Sequence, residues 1–174
     1  MTNEQDLDAL MEVPFTFQRR PTPIPADMRP LRRVALLVLM LDKCQGGKAS
    51  QEQLHVLNWA IRANESQYAL LEFLDGKGNP DKPIVRFDPT LDRATLFAEG
   101  EGLVAIELIG TREGEKVEGK WPGYRVRLLE LGRQLAKELI STADCFKEER
   151  EFLSKLKGKF TQGQITTLFS WETQ

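Results

Sequence analysis

Few side chains in this sequence are of the types that act as a general base, a nucleophile or a metal ligand. The only histidine, His55, lies between Leu54 and Val56, and a lone imidazole there is more often a structural residue than a general base. The two cysteines, Cys44 and Cys145, are far apart and form no C-x-x-C pair, so neither a disulfide framework nor a zinc site is expected. These residues do not form the set of mutually placed groups that catalysis requires.

Acidic clusters are the remaining candidates for metal ligation. One is formed by Glu99 and Glu101, and the other by Glu148, Glu149 and Glu151. A divalent ion at a catalytic site is normally held by further carboxylates at defined positions, whereas acidic neighbours are common on surface helices. No Walker, G-x-S-x-G or H-E-x-x-H motif occurs, and "GEKVEGK" lacks the spacing of a phosphate loop. We therefore expect no catalytic residue, no metal and no cofactor, and the chain is predicted not to be an enzyme.

The composition is that of a soluble globular protein. The 174 residues are 41% hydrophobic and 29% charged, with a formal net charge of -2, so no global charge attracts the chain to nucleic acid. The apolar run at residues 34–41 is less than half of the roughly 20 residues that span a bilayer, and we expect it to be a buried helix. Asp42 and Lys43 precede Cys44 where a lipoprotein signal needs small residues. A cytoplasmic location is expected.

An acidic segment and a proline-rich arm come first, at residues 1–30. Five prolines between residues 14 and 30 exclude a helix and favour an extended chain. Phe15, Phe17 and Ile24 in this arm pack either on their own domain or on a partner that the arm embraces.

Helices make up the next part of the chain. We expect a first helix at residues 31–43, which ends before Gly46 and Gly47. Ser50 and Gln53 have the spacing of a capping box and predict an amphipathic second helix. The same cap is expected at residues 64 and 67 for a third helix at residues 65–74, with one face formed by Tyr68, Leu71 and Leu74.

The second half alternates strands and helices. We expect a strand at residues 84–88, followed by a helix that opens at Pro89. The apolar face of this helix is formed by Leu91, Ala94, Ala98 and either Thr95 or Leu96. Two further strands are expected at residues 103–110 and 124–130, and a charged loop, the wing, joins them. The following helix has a predicted buried stripe of Leu131, Leu135, Ala136 and Leu139. Further helices are expected at residues 147–156 and 162–171.

This order predicts an α+β, mostly α fold. The architecture that fits is a winged helix-turn-helix domain at residues 31–142, preceded by the arm at residues 1–30 and followed by a helical extension at residues 143–174. The segments "ATLFAEGEGLV" and "YRVRLLELGRQLA" resemble the recognition helix, wing strand and following helix of winged-helix regulators.

The helix in "LDRATLFAEGEGLV" carries Asp92, Glu99 and Glu101 against a single Arg93. A helix that reads the major groove uses Arg, Lys, Asn or Gln towards the bases, and acids brought to a polyanion are repelled. A sequence-specific repressor is therefore disfavoured. Basic residues near the arm contact either phosphate or an acidic protein surface, whereas those of the tail alternate with acids and suit a solvated helix.

A wider resemblance covers most of the chain beyond the first dozen residues. The segments "RRPTPIPADMRPLRRVALLVLMLDKCQGGKASQEQLHVLNWAIR", "LDRATLFAEGEGLV", "YRVRLLELGRQLAKEL" and "FLSKLKGKFTQGQITTLF" resemble the small middle component of bacterial three-component ABC-ATPase systems, including Lamassu-type defence. The resemblance implies a non-catalytic subunit that bridges an SMC-like ATPase and an effector such as a nuclease, with DNA contacted through the complex.

Aromatic and arginine side chains anchor many interfaces, and they supply the candidate partner-binding residues. These are Phe15, Phe17, Arg19, Arg20, Trp121, Phe160, Phe169 and Trp171. Tyr124 is either a further anchor at the wing or a core residue. The candidate DNA or phosphate contacts are Arg29, Arg32, Arg33, Arg93, Arg112, Lys116 and Lys120.

Two functions remain open. A bridging subunit would co-purify with a coiled-coil ATPase and bind DNA only weakly and in a salt-sensitive manner. A homodimeric winged-helix transcription regulator would be a dimer alone and would bind an operator tightly through Arg93 and Arg112.

Overall fold

The structure is a computed structural model, and it describes residues 29–77, 87–109 and 123–156 together with Phe160 and Ile165. This part of the chain is α+β and mostly helical. None of its helices is long and apolar enough to cross a membrane. The elements, in chain order, are α1 (Pro30–Lys43), a short 3-10 turn (Gln45–Gly47), β1 (Lys48–Ser50), α2 (Gln51–Ala60), α3 (Asn64–Leu74), α4 (Pro89–Gly100), β2 (Val104–Leu108), β3 (Tyr124–Leu128), α5 (Glu130–Ser141) and α6 (Lys147–Lys155).

Helix α1 lies at the centre of the fold. Its residues Leu37, Val38, Leu39 and Leu41 are completely buried, and it packs against α4, α5, α6 and β3. A helix that is apolar all round must be covered on all sides, so the buried helix expected from the apolar run is confirmed. Phe152 and Leu153 of α6 belong to the same hydrophobic core.

The three strands form an antiparallel sheet in the order β1, β3, β2. The two strands expected near residues 104 and 124 are confirmed as β2 and β3, but the third strand is β1, where Ala49 pairs with Val126. Of the strand expected at residues 84–88, only Phe87 and Asp88 are described, and neither belongs to a strand. Asp88 instead caps α4.

The capping box predicted for α2 is confirmed. The Gln53 backbone N–H donates to Ser50 Oγ at 3.2 Å, and the Ser50 N–H donates to Gln53 Oε1 at 2.8 Å. The cap predicted for α3 is wrong, because Asn64 already lies inside the helix and Ala63 is the N-cap without a side-chain hydrogen bond. The predicted face of α3 is also wrong at Tyr68, which is 69% exposed, whereas Leu70 and Leu74 are buried.

The orientation of α5 is set by Gly132. A Cβ at this position would lie 2.3 Å from the backbone oxygen of Leu103, so only glycine allows the helix to approach the start of β2 this closely. Gly132 and Ala136 therefore face the core. The predicted buried stripe is wrong at Leu131, which is 53% exposed because it lies to one side of this contact.

We expect Gly132→Ala to lower the free energy of unfolding by about 2–3 kcal/mol, since a backbone oxygen cannot move aside as a flexible side chain can. Urea denaturation followed by circular dichroism measures the change. Gly100→Ala is the matched control, because this glycine also lies in a helix and a Cβ there meets nothing within 4 Å. Equal stability of the two variants would contradict the assigned role of Gly132.

Candidate partner-binding site

The Asp88 carboxylate begins helix α4. Its Oδ1 accepts hydrogen bonds from the Thr90 backbone N–H at 3.0 Å and from the Thr90 hydroxyl at 2.5 Å. Pro89 occupies the first helical turn, where its missing N–H costs nothing and its fixed φ suits a helix. The helix therefore starts at a defined residue with its first amide satisfied.

The second oxygen of Asp88 connects α4 to the helices that precede it. Oδ2 accepts from Arg33 of α1 at 2.9 Å, from Asn58 of α2 at 3.2 Å and from Arg62. Burial of the carboxylate opposes its ionisation, but the hydrogen bonds from Thr90 and Arg33 and the charge of Arg62 outweigh this effect and hold the pKa of Asp88 well below its usual range. Asp88 is therefore a charged anchor for the start of α4.

His55 supplies a second anchor for the same helix. The Asp88 backbone N–H donates to His55 Nδ1 at 3.1 Å, so Nδ1 carries no proton, and Nε2–H donates to Asp92 Oδ1 at 3.3 Å. The His55 side chain is completely buried. Burial lowers its pKa, although the Asp92 charge acts in the opposite direction. The imidazole is thus a neutral structural residue.

Two acids of α4 itself, Asp92 and Glu99, accept hydrogen bonds from other parts of the fold. Asp92 Oδ1 also accepts from the Tyr124 hydroxyl at 2.5 Å and from Gln51 at 3.4 Å. Burial, together with the neighbouring Asp92, raises the pKa of Tyr124 above its usual range, so the phenol stays a donor. Glu99 accepts from the Ile106 backbone N–H at 3.1 Å. Asp92 is therefore held by hydrogen bonds within the fold while its side chain stays 37% exposed.

The outward face of α4 combines two large apolar side chains with exposed Arg93 and Glu99. Leu96 is 62% exposed and Phe97 is 46% exposed. Arg93 is the only basic residue of this helix, and it is exposed beside them. Large apolar side chains that remain in solvent are typical of an interaction surface when they form a continuous patch.

Phe97 extends this surface into a groove between α1, α4 and α5, which we call the α1/α4/α5 groove. Its volume is about 510 Å³. Glu101 and Glu138 contribute carboxylates to its lining, while Leu31 is 75% exposed at the start of α1. The apolar residues that line the groove are Leu31, Val34, Ala35, Phe97, Leu103, Leu131 and Leu135.

Of the predicted contact residues that the structure describes, Arg32 and Arg33 line the same pocket. Arg32 forms an ion pair with Glu149 at 2.8 Å and lies over the Phe146 ring, and Arg33 is held by Asp88. Arg29 is exposed, while Phe160 packs partly against the core. The other predicted contacts lie outside the described residues: Phe15, Phe17, Arg19, Arg20, Arg112, Lys116, Lys120, Trp121, Phe169 and Trp171.

The residues of the apolar surface were missed because they resemble core residues. Leu96 was an alternative to Thr95 on the buried face of α4, and the structure buries Thr95. Leu131 was placed in the buried stripe of α5. A leucine next to an apolar stripe that is already complete is the sequence signal that could have identified Leu96 and Leu131 as exposed residues.

The described residues contain no group of three or more His, Cys, Asp or Glu side chains that could hold a metal ion. Burial raises the pKa of the Cys44 thiol to about 12, so this thiol stays protonated near neutral pH.

No family model, curated protein or solved structure matches the chain.

We expect Asp88→Asn to lower the free energy of unfolding by about 2–4 kcal/mol, because the four residues that donate to this largely buried carboxylate lose their charged acceptor. Chemical denaturation at pH 7 measures the loss. Glu107→Gln is the matched control, since it removes a carboxylate from an arginine pair in which both side chains are about 40% exposed, and such pairs contribute little. A Glu107→Gln variant as unstable as Asp88→Asn would refute the anchoring role.

The stability of the protein should decrease as the pH falls from 7 to 5. The unfolded chain takes up a proton at His55 near a pH of about 6.5, whereas the folded chain resists it, so the free energy of unfolding falls by up to about 1.4 kcal/mol per pH unit. His55 is the only histidine, and His55→Gln should flatten this dependence. Denaturation curves at several pH values measure it, and an unchanged slope in the variant would contradict the expectation.

Proposed function

We propose that this chain is a non-catalytic bridging subunit with a winged-helix fold, which links an SMC-like ABC ATPase to an effector in a bacterial defence complex of the cytoplasm. The order α1, β1, α2, α3, α4, β2, β3 supports the winged-helix assignment, because a two-stranded wing follows a helix in the position that enters the groove in DNA-binding relatives of this fold. Helix α3 is an addition to that pattern. The resemblance in the sequence supports the choice of complex.

The exposed apolar face of α4 is the observation that carries this proposal. Base edges and phosphates are recognised by polar and cationic side chains, and α4 offers only Arg93 for that purpose. Leu96 and Phe97 gain free energy when an apolar partner surface covers them. A protein partner therefore fits α4 better than a DNA groove does.

The α1/α4/α5 groove has the chemistry of a site for an amphipathic helix. A helix lays an apolar stripe into such a groove and places its polar residues at the edges. Glu101 and Glu138 in the groove lining favour a stripe flanked by lysine or arginine. A coiled-coil ATPase provides long helices with this alternation, and we assign the groove to that partner.

The effector would then contact other parts of the chain. The arm residues Phe15, Phe17, Arg19 and Arg20 and the residues Trp121, Phe160, Phe169 and Trp171 remain the candidates for this contact. Aromatic and arginine side chains of this kind supply most of the binding energy in typical interfaces.

The double variant Phe97→Asp/Leu131→Asp should abolish retention of the ATPase. The tagged chain is co-expressed with its genomic neighbours and purified at moderate salt, and the retained proteins are identified by mass spectrometry. Both residues are about half exposed, Phe97 at 46% and Leu131 at 53%, so the variant should fold. Two carboxylates in an apolar contact cost several kcal/mol of binding free energy.

Tyr68→Asp is the control, since Tyr68 is a large apolar side chain that is 69% exposed and lies on α3 outside the groove. We expect it to retain the ATPase at the level of the wild type. Retention by the double variant would show that the groove is not the ATPase site. A homodimer that recovers no ATPase and binds one operator tightly would favour a transcription regulator instead.

A further inference from the structure

Basic side chains gather on the solvent face of the three-stranded sheet. The register places Lys48 of β1 opposite Arg127 of β3, and Arg127 opposite Ala105 of β2. Directly opposed residues share a face of the sheet. Arg125 lies two residues before Arg127 and therefore on the same face. Lys48 and Arg125 are exposed.

This face carries one carboxylate, Glu107, among its described residues. Arg127 Nε donates to Glu107 Oε1 at 2.8 Å. The register places Arg125 directly opposite Glu107 and Lys48 opposite Arg127. The hydrogen bond from Arg127 and the charges of Lys48, Arg127 and Arg125 hold the pKa of Glu107 below its usual range. Three positive charges against one negative charge leave a local excess of +2, although the whole chain has a net charge of -2.

Two cations of this face, Lys48 and Arg125, form no ion pair with an acid in the described ranges. We call Lys48, Arg125 and Arg127 the basic sheet face.

We propose that the basic sheet face binds the phosphate backbone of duplex DNA without reading its sequence. Residues two apart on a strand are separated by about 7 Å, so Arg125 and Arg127 can contact different phosphates of one DNA strand. Guanidinium groups bind phosphate oxygens in a bidentate manner. Successive arginines of β3 can therefore follow a phosphate backbone.

The composition of this face favours DNA over an acidic protein. Tightly bound protein partners need large apolar anchors at the centre of the contact, and the residue beside Arg127 on β2 is the small Ala105. A pleated sheet face of arginines and lysine makes charge contacts only, which is the chemistry of sequence-independent DNA binding. This inference uses none of the groove residues and does not depend on the proposed ATPase partner.

The test is fluorescence anisotropy of a labelled duplex DNA of arbitrary sequence with the full-length chain, between about 50 and 200 mM salt. Three phosphate contacts predict a slope of log K against log salt of about -2.7, or about 40-fold weaker binding across this range. Lys48→Gln/Arg125→Gln/Arg127→Gln should weaken binding at least about tenfold at the lowest salt and remove most of this slope.

The matched control Lys77→Gln/Lys147→Gln/Lys155→Gln removes three exposed lysines elsewhere and changes the net charge by the same amount. We expect it to bind as the wild type does, with circular dichroism showing that both variants are folded. Wild-type DNA binding that is absent at about 50 mM salt, or equally weakened by both triple variants, would overturn the proposal. Equal affinity for polyglutamate would also overturn it, in favour of an acidic protein partner.

Discussion

The position of α4 depends on the Asp88 carboxylate, which accepts hydrogen bonds from Arg33 in α1, Asn58 in α2 and Thr90 in α4 itself. A largely buried charge is stable only when all of its partners are present, so this contact fixes the start of α4 against two other helices. His55 adds a second constraint one turn later through Asp92. The candidate partner surface is therefore presented by a helix whose N-terminal turn is rigidly placed.

This anchoring also explains why an acidic sequence gives an apolar outer surface. The Asp88 carboxylate points towards the arginines that neutralise its charge, and Asp92 accepts hydrogen bonds from His55 of α2 and Tyr124 of β3. Leu96 and Phe97 are left on the side that faces solvent. None of the described contacts explains why these two residues are exposed. A partner that covers them would gain the free energy of burying their apolar surface.

Local patterns predicted most of the elements, and long-range contacts account for the errors. The apolar run of α1 and the capping box of α2 are encoded by neighbouring residues, so both were predicted correctly. Strand β1 is only three residues long, Lys48–Ser50, and exists because it pairs with β3 far along the chain. The exposure of Leu131 follows from the contact of Gly132 with Leu103. The spacing of apolar residues within α5 does not predict this long-range contact. The apolar part of the candidate site was missed for the same reason.

Although the net charge of the chain is close to zero, one surface carries acidic residues and another carries basic residues. Glu101 and Glu138 in the α1/α4/α5 groove repel a polyanion, whereas the lysine and arginines of the sheet face attract one. Under the two proposals, the groove is reserved for a protein helix and the sheet is available to DNA at the same time, because the two surfaces share no residue. A bridging subunit needs this separation, since one surface that accepted both partners would make their binding competitive rather than simultaneous.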